Sequence, residues 1–162
     1  MQQLTPLVAV DDSDASRRAL ELIAPLAPTE AVAVVLVTRE ADPELACAVL
    51  DAAVARLGDA PRVERRHCPG PLQKVLACEA GEAKADLVVV SPPPHAPWGR
   101  WLHGREARSL ARQLPTSLLL VQHGHVVRSL RRALLAGGGG PALLDAARLA
   151  DCQLAQVGAW RR

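Results

Sequence analysis

Short apolar blocks alternate with longer amphipathic stretches along most of this chain. Four blocks are rich in Val, Leu and Ala, which is typical of strands buried on both faces of a parallel sheet. They cover Leu4–Val10, Ala31–Thr38, Asp86–Ser91 and Thr116–Gln122. A fifth segment, Arg62–His67, is charged and suits an edge strand, where charge discourages unwanted pairing. The pattern therefore predicts five strands.

Four helices are predicted between these strands. The first follows the turn "DDSDAS", in which Ser13 or Asp14 can act as the N-cap. The other three cover Pro43–Leu57, Pro71–Ala83 and Gly104–Gln113. Strands that alternate with helices form a doubly wound parallel sheet, because each crossover places a helix over one face. Ligands of such sheets bind beyond the carboxyl ends of the strands, so the turns at Asp11 and Ser91 are candidate sites.

Composition narrows the class of protein. The 162 residues suffice for one domain plus an appendage. The net charge of +2 is too small to indicate nucleic-acid binding, which needs a concentrated basic face. No apolar run is long enough to span a bilayer, and the N-terminus lacks the pattern of a signal peptide. We therefore expect a cytoplasmic protein with neither nucleic acid nor membrane as a partner.

The sequence offers little for catalysis or metal binding. The cysteines at 47, 68, 78 and 152 are widely separated and form no CxxC pair, so we expect buried thiols rather than a zinc site or disulfides. His123 and His125 have no cysteine or carboxylate nearby to complete a metal site. No Ser-His-Asp or Cys-His set can be assembled, so we do not expect an enzyme.

Residues Leu4 to Gln122 resemble a universal stress protein (UspA-like) domain. The segment "LVAVDDSDASRRALELIAPLA" resembles the family's first strand, acidic-serine turn and first helix, and "AKADLVVVS" with "HGREARSLARQLPTSLLLVQ" resembles its closing half. The resemblance implies an α/β fold: a five-stranded, doubly wound parallel sheet in the order 3-2-1-4-5 with helices on both faces. It also implies a domain over residues 1–122, a regulatory role in the stress response, and homodimers formed through the last strand.

The family's ATP-binding motif is only partly matched. Its ATP-binding members carry Gly, two residues, Gly, nine residues, then Gly and a small hydroxyl residue, and this spacing falls on Ser91, Pro94, Gly104 and Arg105. Glycine lets the backbone approach a phosphate closely, whereas Ser91 adds a Cβ and Pro94 lacks an N–H donor. The sequence therefore predicts that ATP binding is weakened or lost, and no cofactor is expected.

Some elements of an anion site are nevertheless retained. The resemblance assigns the family's adenine-side acid to Asp11, Gly104 opens a helix whose N-terminus favours an anion, and Arg105 can bind a phosphate through two N–H groups. With Ser13, Ser91 and Pro94 they make up a degenerate candidate site for a nucleotide. The alternative interpretation is that Asp11 and Ser13 only cap the first helix and do not contact a ligand.

Three functions stay open at this point. The first is a dimeric binding or regulatory module without tight ATP binding. The second is a nucleotide-binding switch that uses Asp11, Gly104 and Arg105 with a rebuilt loop. The third is a scaffold that docks a protein partner through Trp98 and Trp101, whose rings alternatively fold over the open end of the sheet and fill the nucleotide space.

Residues 123–162 extend beyond the region of resemblance and are predicted to form a strand-helix-strand extension. The segment "LLAGGGGPALLDAARLA" aligns with the opening strand, turn and helix, with Ala136 at the position of Ala9. We interpret the extension as a truncated second repeat that contributes to the dimer interface. A dinucleotide loop at Gly137–Gly140 is the alternative, but that fingerprint needs a whole βαβ unit with an acid about 20 residues on.

Overall fold

A five-stranded parallel sheet forms the centre of the protein. The computed structural model describes residues 4–25, 27, 30, 32–60, 62–91, 105–121, 132–136 and 153–157. The strands are β1 (Pro6–Val10), β2 (Val34–Thr38), β3 (Val63–His67), β4 (Leu87–Val90) and β5 (Ser117–Leu120). They lie in the order β3-β2-β1-β4-β5, and every neighbouring pair is parallel. The fold class and the strand order expected from the resemblance are confirmed.

Helices cover both faces of this sheet. They are α1 (Asp14–Ile23), α2 (Pro43–Leu57), α3 (Leu72–Glu82) and α4 (Arg105–Gln113). Alternate residues of each strand point to opposite faces, and the core accordingly divides into two clusters. Helices α1 and α2 supply one cluster, in which Leu20 and Leu50 meet Leu36 of β2. Helices α3 and α4 supply the other, in which Leu76 and Leu110 pack against the opposite sides of the same strands.

Burial along the sheet follows the sequence pattern. All residues of β2 and of β4 are buried, which explains why these segments are continuous runs of apolar and β-branched side chains. Strand β3 lies at one edge, and its Glu64, Arg65 and His67 are exposed, as expected for a charged edge strand. Strand β5 lies at the other edge and is half-buried throughout.

Local signals set the helix ends. Ser13 is the N-cap of α1 and accepts a hydrogen bond from the backbone N–H of Ser16, which decides between the two predicted caps. Asp42 caps α2 in the same way, with Pro43 at the first helical position. Helix α2 ends at Leu57, and the glycine that caps it, Gly58, has a φ of 67°, which lies in the left-handed region that favours glycine.

The extension contains two further strands, β6 (Arg132–Ala136) and β7 (Gln153–Val157), which pair in parallel as a separate two-stranded sheet. Its register matches that of β1 and β2: Ala9 pairs with Val37, and the aligned Ala136 pairs with Val157. The predicted helix between the two strands and Gly137–Gly140 lie outside the described residues.

Replacing a buried leucine on the central strands should destabilise the domain strongly. Leu36 is fully buried in β2, so Leu36→Ala removes apolar contacts and leaves a cavity. We expect the free energy of unfolding to fall by about 2–5 kcal/mol in urea denaturation. Leu45 on α2 is 54% exposed and provides the matched control. Leu45→Ala should change stability by no more than about 0.5 kcal/mol, and equal effects of the two substitutions would contradict the buried position of Leu36.

Candidate functional site

The candidate site lies where the strand order of the main sheet reverses. Strand β1 is paired with β2 on one side and with β4 on the other, so the two crossover directions diverge between β1 and β4. Val8 pairs with Val89, and the two parallel strands therefore deliver Asp11 and Ser91 to the same edge of the sheet. This is the position at which doubly wound sheets bind their ligands.

The turn after β1 is a closed network of hydrogen bonds. The Asp11 carboxylate accepts from the backbone N–H of Ser13 at 2.9 Å and from the Ser13 hydroxyl. The Ser13 hydroxyl oxygen accepts from the backbone N–H of Ser16 at 3.2 Å, and the Ser16 hydroxyl accepts from the backbone N–H of Asp11 at 3.0 Å. Asp11 and Ser13 thus hold the start of α1, which is the capping role considered for them from the sequence.

Ser91 connects the end of β4 to α1. Its hydroxyl donates to the backbone carbonyl of Ala15 at 2.7 Å, across 76 positions in sequence. Ala15 is buried in the first turn of α1, so the side chain of Ser91 lies against the first turns of that helix. A glycine at this position would leave the space of the serine Cβ and hydroxyl open.

Two neighbouring arginines on α1 have different surroundings. Arg17 bonds to the Asp14 carboxylate at 2.7 Å and to the backbone carbonyl of Asp12 at 3.0 Å. Arg18 is half-buried, and its Nη1 is fully buried with no hydrogen-bond partner among the residues that the structure describes. Neither arginine was predicted from the sequence to belong to a site.

The structure brings together three of the six predicted site residues, namely Asp11, Ser13 and Ser91. Pro94 and Gly104 lie outside the described residues, as do Trp98 and Trp101. Arg105 is the first residue of α4, so its backbone lies at a helix N-terminus. Its side chain is not among those described.

A second polar cluster joins β3 to α3. Arg66 Nη1 lies 2.7 Å from Glu79 Oε2 and 3.6 Å from Glu82 Oε2. The thiol of Cys68 donates to Glu79 Oε1 at 3.1 Å, and Arg66 also bonds to Glu64 at 2.8 Å. This cluster was not predicted from the sequence. Its signal is Glu79 itself, a carboxylate among the buried positions of α3 beside Leu76 and Ala80.

Burial and hydrogen bonding shift the pKa values within this cluster. Burial raises the pKa of Glu79, whereas hydrogen bonds from Arg66 and Cys68 lower it. The hydrogen bonds outweigh burial, so the pKa of Glu79 lies below its ordinary value. Burial, followed by the hydrogen bond to Glu79, raises the pKa of the Cys68 thiol to about 11. Cys68 is therefore protonated at neutral pH and is a poor nucleophile.

The expectation of buried thiols is wrong for two cysteines. Cys47 and Cys78 are exposed, and Cys68 is half-buried; all three are free. Cys47 follows the buried Ala46 on α2, and Cys78 precedes the buried Glu79 on α3, so each lies just outside the buried stripe of its helix. The hydrogen bond to Glu82 raises the pKa of Cys78. Cys152 lies outside the described residues.

The side chains of His67 and Cys68 have different hydrogen-bond partners. His67 Nε2 lies 2.7 Å from the backbone carbonyl of Glu40 and donates to it when Nε2 carries the proton. Within the described residues, no group of three or more His, Cys, Asp and Glu side chains could hold a metal ion. Among the helices described, none is long and apolar enough to cross a membrane.

Solved structures of universal stress proteins share the fold of this chain. One crystallised in complex with cAMP has a TM-score of 0.62 and 27% identity, covering 75% of this chain and 98% of that one. A protein from Mycobacterium tuberculosis H37Rv has a TM-score of 0.54 and 26% identity, covering 76% and 98%. The Archaeoglobus fulgidus universal stress protein in complex with dAMP has a TM-score of 0.57, and its 21% identity over 75% and 100% shows the fold alone. No protein-family model and no curated protein sequence matches the chain.

The sheet order, the crossover helices and the turn at the strand-order reversal define an α/β domain of the doubly wound class. Within that class the chain has the universal stress protein (UspA-like) fold. The family recognised from "LVAVDDSDASRRAL" and "AKADLVVVS" is thereby confirmed.

Glu79→Gln should weaken the domain in a pH-dependent way. A group whose pKa is lowered in the folded state stabilises it above the unfolded pKa, and that contribution is lost as pH falls through the folded pKa. At pH 7 we expect the substitution to cost about 1–3 kcal/mol in urea denaturation. The cost should shrink as the pH falls below about 4.5, the ordinary value for glutamate.

Glu82→Gln is the matched control, because the Glu82 side chain is 65% exposed whereas that of Glu79 is 12% exposed. Exposed ion pairs contribute little, so the control should show a small effect at every pH. A cost for Glu79→Gln that does not change between pH 7 and pH 3 would contradict the ionised pair.

Proposed function

We propose that this protein is a cytoplasmic, homodimeric binding and regulatory module of the stress response, in which ATP binding is weakened or lost. Two facts support this proposal: the universal stress protein fold and one contact at the candidate site. That contact is the 2.7 Å hydrogen bond from the Ser91 hydroxyl to the carbonyl of Ala15. We infer a binding role rather than a catalytic one.

The position of the site supports nucleotide or anion binding. Helix α1 begins at the strand-order reversal, and the N-terminus of a helix attracts negative charge. The relative with 27% identity was crystallised with cAMP. A phosphate-bearing ligand is therefore the class of molecule that we assign to this site.

The surroundings of Ser91 argue against tight binding of a triphosphate. Its hydroxyl already donates to Ala15, so this O–H is unavailable to a phosphate oxygen. Its Cβ occupies a position where ATP-binding members of the family have glycine and thus close access to the backbone. Pro94, three residues on, has no N–H to donate. Two of the motif's backbone contacts are therefore weakened.

The free edge of the sheet supports the homodimer. Strand β5 pairs with β4, and the described part of the chain contains no strand on its other side. Its Leu118, Leu119 and Leu120 are half-buried. An apolar edge strand invites pairing with another chain unless it is covered. A second copy of the chain covers this edge in our proposal, with residues 123–162 contributing to the interface.

Rebuilding the motif should strengthen ATP binding. The triple substitution Ser91→Gly, Pro94→Gly and Arg105→Ser restores the family's spacing of glycines and hydroxyl residue. We expect this variant to bind Mg-ATP in calorimetry with a Kd in the micromolar range, about −8 kcal/mol. The natural protein should bind at least about tenfold more weakly, a difference of about 1.4 kcal/mol.

Asp11→Asn in the rebuilt variant separates capping from ligand contact. The amide oxygen of asparagine can still accept the hydrogen bonds that Asp11 accepts from Ser13, the N-cap of α1, so the substitution should preserve stability while removing the charge. Micromolar Mg-ATP binding by the natural protein, or ATP carried through its purification, would overturn the proposed loss of ATP binding.

The protein should sediment as a dimer, and removal of the extension should weaken that dimer. Sedimentation velocity over a dilution series measures both the full chain and a variant that ends at Arg132. We expect the shorter variant to dissociate at a higher concentration while circular dichroism shows the same helical content. A full chain that is monomeric throughout the series would contradict the homodimer. Identical dissociation of the two proteins would contradict the role of the extension.

A nucleotide-binding switch with a rebuilt loop is the second candidate function. Arg105 is the first residue of α4, and a cation at a helix N-terminus is normally unfavourable unless an anion is bound there. Arg105→Ala distinguishes this function, because anion affinity that survives the substitution would remove the switch's principal residue.

A further inference from the structure

We draw no further inference here: the strongest candidate, the outer face of α2 on which Leu45, Ala48, Ala52 and Ala55 are exposed, is an apolar face for which nothing in the described part of the chain shows what covers it.

Discussion

Burial of the parallel sheet on both faces is the constraint on which the rest of the structure depends. Strands β2 and β4 have no exposed residue, so each of their side chains must meet a helix. The four crossover helices supply this cover, and the two core clusters separate the two faces. Polar side chains that could bind a ligand therefore lie beyond the ends of the central strands. Asp11 and Ser91 lie at such ends, immediately after β1 and β4.

The same constraint shapes the candidate site. A strand end in a buried sheet leaves backbone groups that need partners, and the turn after β1 satisfies them with serine side chains and the Asp11 carboxylate. Ser91 adds a hydrogen bond between β4 and α1. These contacts stabilise the protein without a ligand. A site whose polar groups are already paired gains less from a nucleotide than one whose backbone N–H groups remain free.

Much of the fold could be predicted from the sequence because its signals are local. The bounds of α2 match the predicted Pro43–Leu57, since proline, a capping aspartate and glycine mark both ends. The first strand is shorter than its apolar block: Leu4 forms only an isolated bridge with Val32, and β1 begins at Pro6. The pattern of apolar residues indicates which positions are buried. The residue at which a strand begins depends instead on where an adjacent strand is present to form backbone hydrogen bonds with it.

The candidate site was less predictable, because its chemistry arises from contacts between distant segments. The capping by Ser13 is local and could be anticipated, but the bond from Ser91 to Ala15 spans 76 positions. The Arg66, Cys68 and Glu79 cluster joins a strand to the following helix, and only the presence of a carboxylate among apolar positions signalled it. Cys47 and Cys78 are exposed because each lies one residue away from a buried position of its helix. The amino-acid composition does not indicate on which side of a helix a residue lies.

Arg17 and Arg18 illustrate why such residues need a structure. In sequence they are adjacent arginines on an amphipathic helix, and both suit a solvated face. A rotation of about 100° separates neighbouring side chains on a helix, which sends Arg17 toward Asp14 and leaves Nη1 of Arg18 buried. A paired surface arginine contributes little to stability, whereas a buried unpaired donor carries a cost that the fold must offset.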